Sequence, residues 1–92
     1  MKSINLPIKE AKSFKDRFLG FMLKKHADYA LSFENCKAVH TFFMRFKLDV
    51  LFLDKENKII KEVRDLKPWR IAFCLKAYSV LEVPSRIRTG DK

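Results

Sequence analysis

Between Phe42 and Phe52 an apolar side chain recurs at every second position: Phe42, Met44, Phe46, Leu48, Val50 and Phe52. Arg45, Lys47 and Asp49 fall on the opposite face. A helix repeats every 3.6 residues and cannot hold six alternate positions on one side, whereas a strand does so by its pleat. The stretch "HTFFMRFKLDVLFLD", residues 40–54, therefore predicts one long antiparallel strand. From Val50 to Leu53 both faces become apolar, so the second half of that strand must be covered on both sides. Asp49 stands where that change begins, and a carboxylate there needs a cation or several donors to remain charged.

The rest of the chain supplies partners for such a strand. "SINLPI" alternates Ile4, Leu6 and Ile8, predicting a short first strand with Pro7 at an edge, where a missing N–H is tolerated. Ser13 followed by Asp16 resembles a capping box, and Phe14, Phe18, Leu19, Phe21 and Met22 recur at helical spacing. They predict a Phe-rich helix, with Gly20 at its end or at a close approach and Lys24, Lys25 and His26 near its C-terminus. "YALSF" is a short strand and "ENCKA" a turn; "DKENK" is a hairpin turn with Asn57 at a left-handed position, and "IIKEVR" is the returning strand. Pro68 breaks "DLKPWR", "IAFCLKAYSVLEV" supplies one or two further strands, and "IRTGD" a closing strand or turn. The sum is a single α+β domain over residues 1–92, predominantly antiparallel β, as a small rolled or half-open barrel with one main N-terminal helix.

Composition agrees with a core that needs neither disulfide nor metal: 48% of the residues are hydrophobic and nine are Phe. Cys36 and Cys74 lack the dense spacing of a secreted disulfide scaffold and are expected to be reduced thiols. No run is long enough for a membrane span, and "MKSINLPIKEAK" has no apolar stretch of the export type, so the expected location is the cytoplasm. The formal charge of +9 makes a polyanion or an anionic membrane surface a conceivable partner. Nowhere, however, do more than two basic residues stand together, which suits a generally basic surface as well as a binding stripe.

Four segments together resemble a known family. "R-x-x-G-F-M" (Arg17, Gly20, Phe21, Met22), the central "H-T-F-F-M-R-F-K-L-D-V-L-F-L-D", "V-L-E-V-P" and the terminal Gly90 and Asp91 are similar in order and spacing to domain-of-unknown-function family 192, also called uncharacterised protein family 127. The resemblance runs from about Ala11 to Asp91. It implies a compact domain rich in antiparallel strands, with a helix carrying the Arg and the Gly, and brings no established reaction or cofactor. Similar sequences often have Pro at the position of Lys47 and Leu at that of Phe21, and many carry an export signal.

Few residues suggest chemistry. Cys36, His40 and Met44 stand four apart, which on a helix would stack three soft ligands, but four residues of strand span about 13 Å and cannot share one ion. No metal and no cofactor is expected. A nucleophilic pair of Cys36 or Cys74 with His40 or His26 lacks any surrounding signature, and two glycines in the chain leave little for an oxyanion loop. For Asp49 the expected partner is Arg17 from the helix, with Arg45 as the alternative; a salt bridge that fixes the fold ranks above a place in a ligand pocket. In "RDLKPWR", Arg64, Lys67 and Arg70 surround the lone Trp69, a candidate basic surface or else the plug of a barrel end. Lys9, Lys12 and Lys15 form an ordinary solvated face. The leading reading is a non-enzymatic binding or accessory domain that recognises a small polar ligand or a peptide through Arg17, His40, Arg45, Asp49 and Trp69. Electrostatic nucleic-acid binding is the alternative, and a Cys/His-dependent enzyme ranks third.

Overall fold

The computed structural model describes residues 7–10 and 29–89. Seven strands follow in order: β1 (Ile8–Glu10), β2 (Ala30–Glu34), β3 (Ala38–His40), β4 (Leu48–Leu53), β5 (Ile59–Leu66), β6 (Ile71–Phe73) and β7 (Ser79–Pro84), and a short helix α1 (Ser85–Thr89) closes the described chain. They build an open five-stranded sheet in the order β1-β2-β7-β4-β5 and a separate two-stranded ribbon of β3 and β6.

This corrects the expected fold class. The main sheet is mixed, because β1 runs parallel to β2 while the remaining neighbours are antiparallel. A barrel would need its outer strands to meet, whereas β1 and β5 stand at opposite edges and the sheet stays open. A parallel pair also cannot be joined by a hairpin and needs a long connection, for which residues 11–28 give length enough. The predicted N-terminal helix, and Arg17 with it, falls on those residues and lies outside the described ones. Among the described residues the one helix is α1, placed where "IRTGD" suggests a closing strand or turn.

The long strand is corrected as well: only Leu48–Leu53 of residues 40–54 forms β4, while His40 ends β3. Between them Thr41 fastens a turn. Its N–H donates to Arg70 O (2.8 Å), its carbonyl accepts from Met44 N–H (3.2 Å) and Trp69 N–H (2.9 Å), and its hydroxyl donates to Lys67 O (2.7 Å) and accepts from Arg70 N–H (2.8 Å). Phe43 then takes a φ of 63°, which no strand accommodates. The turn signals fare better. Asn35 and Asn57 have φ values of 53° and 63°, Asp54 Oδ1 accepts from Glu56 N–H and Lys58 N–H, and β5 returns antiparallel to β4.

The pleat of the main sheet separates two apolar faces. Leu31, Phe33, Leu48, Val50, Phe52 and Val80 lie on one, packed with Val39, Met44 and Ala72 of the ribbon and its flank. Ala30, Leu51, Leu81 and Val83 lie on the other, with Leu53, Ile59 and Ile87 against them. Both faces of β4 are thus covered, as the spread of apolar residues after Val50 requires. Each face also holds one buried carboxylate: Asp49 beside Leu51 on the second, Glu82 beside Val50 on the first.

Candidate functional site

Asp49 is positioned by an irregularity of the β4–β5 pair. Leu48 faces Leu66 and Val50 faces Val63, so Asp49 alone stands opposite Arg64 and Asp65. Such a bulge leaves a backbone donor unpaired and bends the strand. Asp65 adopts a φ of 55° there, and its N–H donates to Asp49 Oδ1 at 3.0 Å. The Ser85 hydroxyl donates to the same oxygen at 2.8 Å, and Ser85 N–H donates to Lys47 O at 3.0 Å. One buried carboxylate therefore fastens β4, the bulge of β5 and the start of α1, accepting from Ser85 and Asp65, while the expected partner Arg17 lies outside the described residues.

Above this fastening lies a cleft of ≈ 310 Å³ lined by Arg45, Phe46, Lys47, Asp65, Pro68, Ser85 and Arg86. Its volume lies at the small end for ligand sites. Three of the lining side chains are cationic and one is acidic. Arg45 and Lys47 are exposed, brought to the rim by the bends that precede β4, whereas Arg86 and Asp65 are already engaged in the fold. Electrostatically the cleft suits an anion: two solvated cations flank a wall of hydroxyl, proline and aromatic surface.

Of the residues named from sequence, Arg45 and Asp49 come together here, Arg45 in the lining and Asp49 beneath it through Asp65 and Ser85. His40 and Trp69 sit on the adjoining side. His40 Nδ1 accepts from Phe42 N–H at 3.1 Å, and the rings run from His40 to Phe42 (5.0 Å), Phe42 to Trp69 (5.8 Å) and Trp69 to Phe43 (4.6 Å). Trp69 is 54% exposed and therefore plugs nothing; it follows Pro68 of the cleft wall and has a φ of 67°. The trio Arg64, Lys67 and Arg70 is exposed. Arg64 pairs with Glu62 at 3.2 Å, and Arg70 Nη1 donates to Trp69 O at 3.3 Å. The Cys36 thiol donates to Ala38 O at 3.1 Å, and Cys36 and Cys74 are both free thiols. Among the described residues no three His, Cys, Asp or Glu gather as for a metal ion, and no helix is long and apolar enough to cross a membrane.

Sequence reasoning missed Lys47 as a partner of Arg45, and Ser85 and Arg86, which the fold brings from the far end of the described chain. It also missed Glu82, only 2% exposed. Glu82 Oε1 has no hydrogen-bond partner among the described residues, and desolvation by burial pushes the carboxyl from the usual 4.5 up to about 8. The signal was available: an acid inside "SVLEVP", with apolar residues on both sides in a strand buried on both faces.

These features define a small β-rich domain in which an open mixed sheet is backed by a two-stranded ribbon and a basic cleft opens at the end of β4. The chain belongs to the DUF192 family, described as Uncharacterized ACR, whose profile matches residues 2–89. A UPF0127 protein of Pyrococcus horikoshii is 41% identical over 92 residues, spanning 92% of this chain and 78% of that one. In fold, the chain is similar to a protein of unknown function from Novosphingobium aromaticivorans, with a TM-score of 0.75 at 14% identity over 92% of this chain and 69% of the other. It is likewise similar to a Sinorhizobium meliloti protein whose own name proposes a transcription regulator, with a TM-score of 0.77 at 19% identity over 92% and 74%. At those identities the likeness speaks for the fold alone.

Proposed function

We propose that the domain is a non-enzymatic binding or accessory module whose cleft takes a small polar ligand bearing negative charge. The observation that carries this reading is the pair of exposed cations, Arg45 and Lys47, at the rim of a preformed cleft whose floor is held by Asp49. Arg45 offers a planar guanidinium fork suited to carboxylate or phosphate oxygens, and Lys47 a point charge beside it. Asp49 serves as the support of this site, with its oxygen turned to Ser85 and Asp65. His40 and Trp69 adjoin the cleft through Pro68 and would meet only a ligand that extends beyond it.

Titration calorimetry with pyrophosphate and with citrate tests the reading, with glucose as the uncharged control. Binding of either anion that weakens about tenfold in Arg45→Ala/Lys47→Ala supports it. Equal binding by that variant, or no heat from either anion at millimolar concentration, overturns it. Electrostatic nucleic-acid binding ranks second. It draws on the charge of +9, but the Arg64 charge it would use is already matched by Glu62.

A further inference from the structure

The ribbon of β3 and β6 turns an unusual surface to solvent. Ile71 is 62% exposed, Phe73 56% and Leu75 73%, and Trp69 and Phe43 continue the strip at its end. Large apolar side chains gathered this way mark a contact surface more often than chance, whereas single ones are ordinary. The backbone beside them is open too. Cys74 N–H donates to Lys37 O and Thr41 N–H to Arg70 O, so the pairs that bond across the ribbon are those flanking Ile71 and Phe73. Ile71 and Phe73 accordingly aim their own N–H and C=O groups away from β3. The bond from Lys61 Nζ to Phe73 O, at 2.8 Å, meets one of them from that side. No second strand pairs with this edge among the described residues.

Charge narrows the partner. Residues 36–44 and 66–81, which contain both ribbon strands and the aromatic strip, carry four Lys or Arg and not one Asp or Glu. A second copy of the chain would set these cations against each other. The aliphatic Ile71 and Leu75 are the two most exposed members of the strip and gain by burial against apolar side chains, which a nucleic-acid strand does not offer. We propose that the free edge and outward face of β6 dock an extended acidic peptide segment of a partner protein. The segment adds a strand beside Ile71–Phe73, alternating an apolar residue against the strip with an acid toward cations such as Lys37, Lys61 and Arg70. This surface is distinct from the anion cleft and stands whether or not the cleft binds a ligand.

The experiment is an amide-resolved NMR titration of the full chain, at low ionic strength, with a short capped peptide alternating valine and glutamate. A peptide of equal length alternating valine and lysine and an oligothymidine are the comparators. Expected are saturating shifts at the Ile71 and Phe73 amides with the glutamate peptide alone. Ile71→Glu should weaken binding about tenfold, and so should Ile71→Pro, which removes one outward N–H; Arg45→Ala/Lys47→Ala should leave it unchanged. Folding of each variant is checked by circular dichroism. If the proline disturbs the ribbon, Ile71→Glu and the wild-type shift map decide. Equal response to the lysine peptide, tighter binding of oligothymidine, or undiminished binding by Ile71→Glu overturns the proposal.

Discussion

Asp49 and Glu82 are buried carboxylates on neighbouring strands, 5% and 2% exposed, yet the fold treats them in opposite ways. Asp49 faces the bulge of β5 and the start of α1, where Asp65 N–H and the Ser85 hydroxyl donate to it. Glu82 sits on the other face of the sheet, between Leu31 and Val50, with an oxygen that finds no donor among the described residues. Burial alone does not decide what an acid does in a core. Supplied with donors, it ties elements together; without them, it holds its proton to higher pH and makes stability depend on pH.

The largest effect expected from this contrast is in the pH profile. The Glu82 carboxyl is raised from 4.5 to about 8, so between those values the folded chain holds a proton that the unfolded chain has released. Its contribution is complete below the unfolded value, declines as pH rises toward the folded one, and is flat beyond. The slope reaches at most about 1.4 kcal/mol per pH unit. Denaturant titrations of the wild type and of Glu82→Gln, made across that window, should diverge steadily, with the variant gaining relative stability as pH rises. Parallel profiles would mean that Glu82 has a partner in solution and that the contrast with Asp49 is empty.

Asp49→Ala comes next. It leaves the Asp65 N–H and the Ser85 hydroxyl without their acceptor, at a cost of about 3 kcal/mol read as a lower midpoint in urea. Asp49→Asn keeps an acceptor oxygen and should recover more than half of that loss. If asparagine is as damaging as alanine, the charge of Asp49 matters more than the hydrogen bonds from Asp65 and Ser85.

How far these roles could be read from sequence follows from what each depends on. Leu48–Phe52 is legible as strand because alternation and burial coincide there, and Asp49 stands out as the one acid where both faces turn apolar. The same alternation misleads over Phe42–Phe46. Met44 still points into the core, but the backbone is turned by the bonds of Thr41 and the positive φ of Phe43, to which side-chain periodicity is blind. Asn35 and Asn57 announced their turns through a residue type that tolerates left-handed φ. The parallel pairing of β1 with β2 has no such local marker, because it is fixed by the path of a long connection. For the cleft, Arg45 was legible as a cation opposite the apolar face. Ser85 and Arg86 were not, because only the antiparallel return of β7 beside β4 carries them there.

Thr41 extends the comparison to a buried neutral group. Its hydroxyl links β3 to the loop of Lys67 and Arg70, and Thr41→Val preserves shape while stranding Lys67 O and Arg70 N–H. A loss of about 2 kcal/mol is expected, accompanied by a change in Trp69 fluorescence, since Trp69 N–H donates to the Thr41 carbonyl. An unchanged emission spectrum would show that the Phe43 and Phe42 rings hold Trp69 without that hydrogen bond.

The smallest effect belongs to the cleft, and its smallness is the point. The Arg45 and Lys47 side chains are exposed and make no ion pair or hydrogen bond among the described residues, so the fold does not depend on their charges. Arg45→Ala/Lys47→Ala should therefore melt within about 0.5 kcal/mol of the wild type at low salt. Removing two nearby like charges could even raise the midpoint slightly on a chain of +9. A loss as large as that of Asp49→Ala would make these cations part of the same structural fastening, leaving the cleft without the surplus charge on which its proposed role rests. A neutral result, set against the sensitivity of Asp49 directly beneath, separates the groups that build the cleft from those available to a ligand.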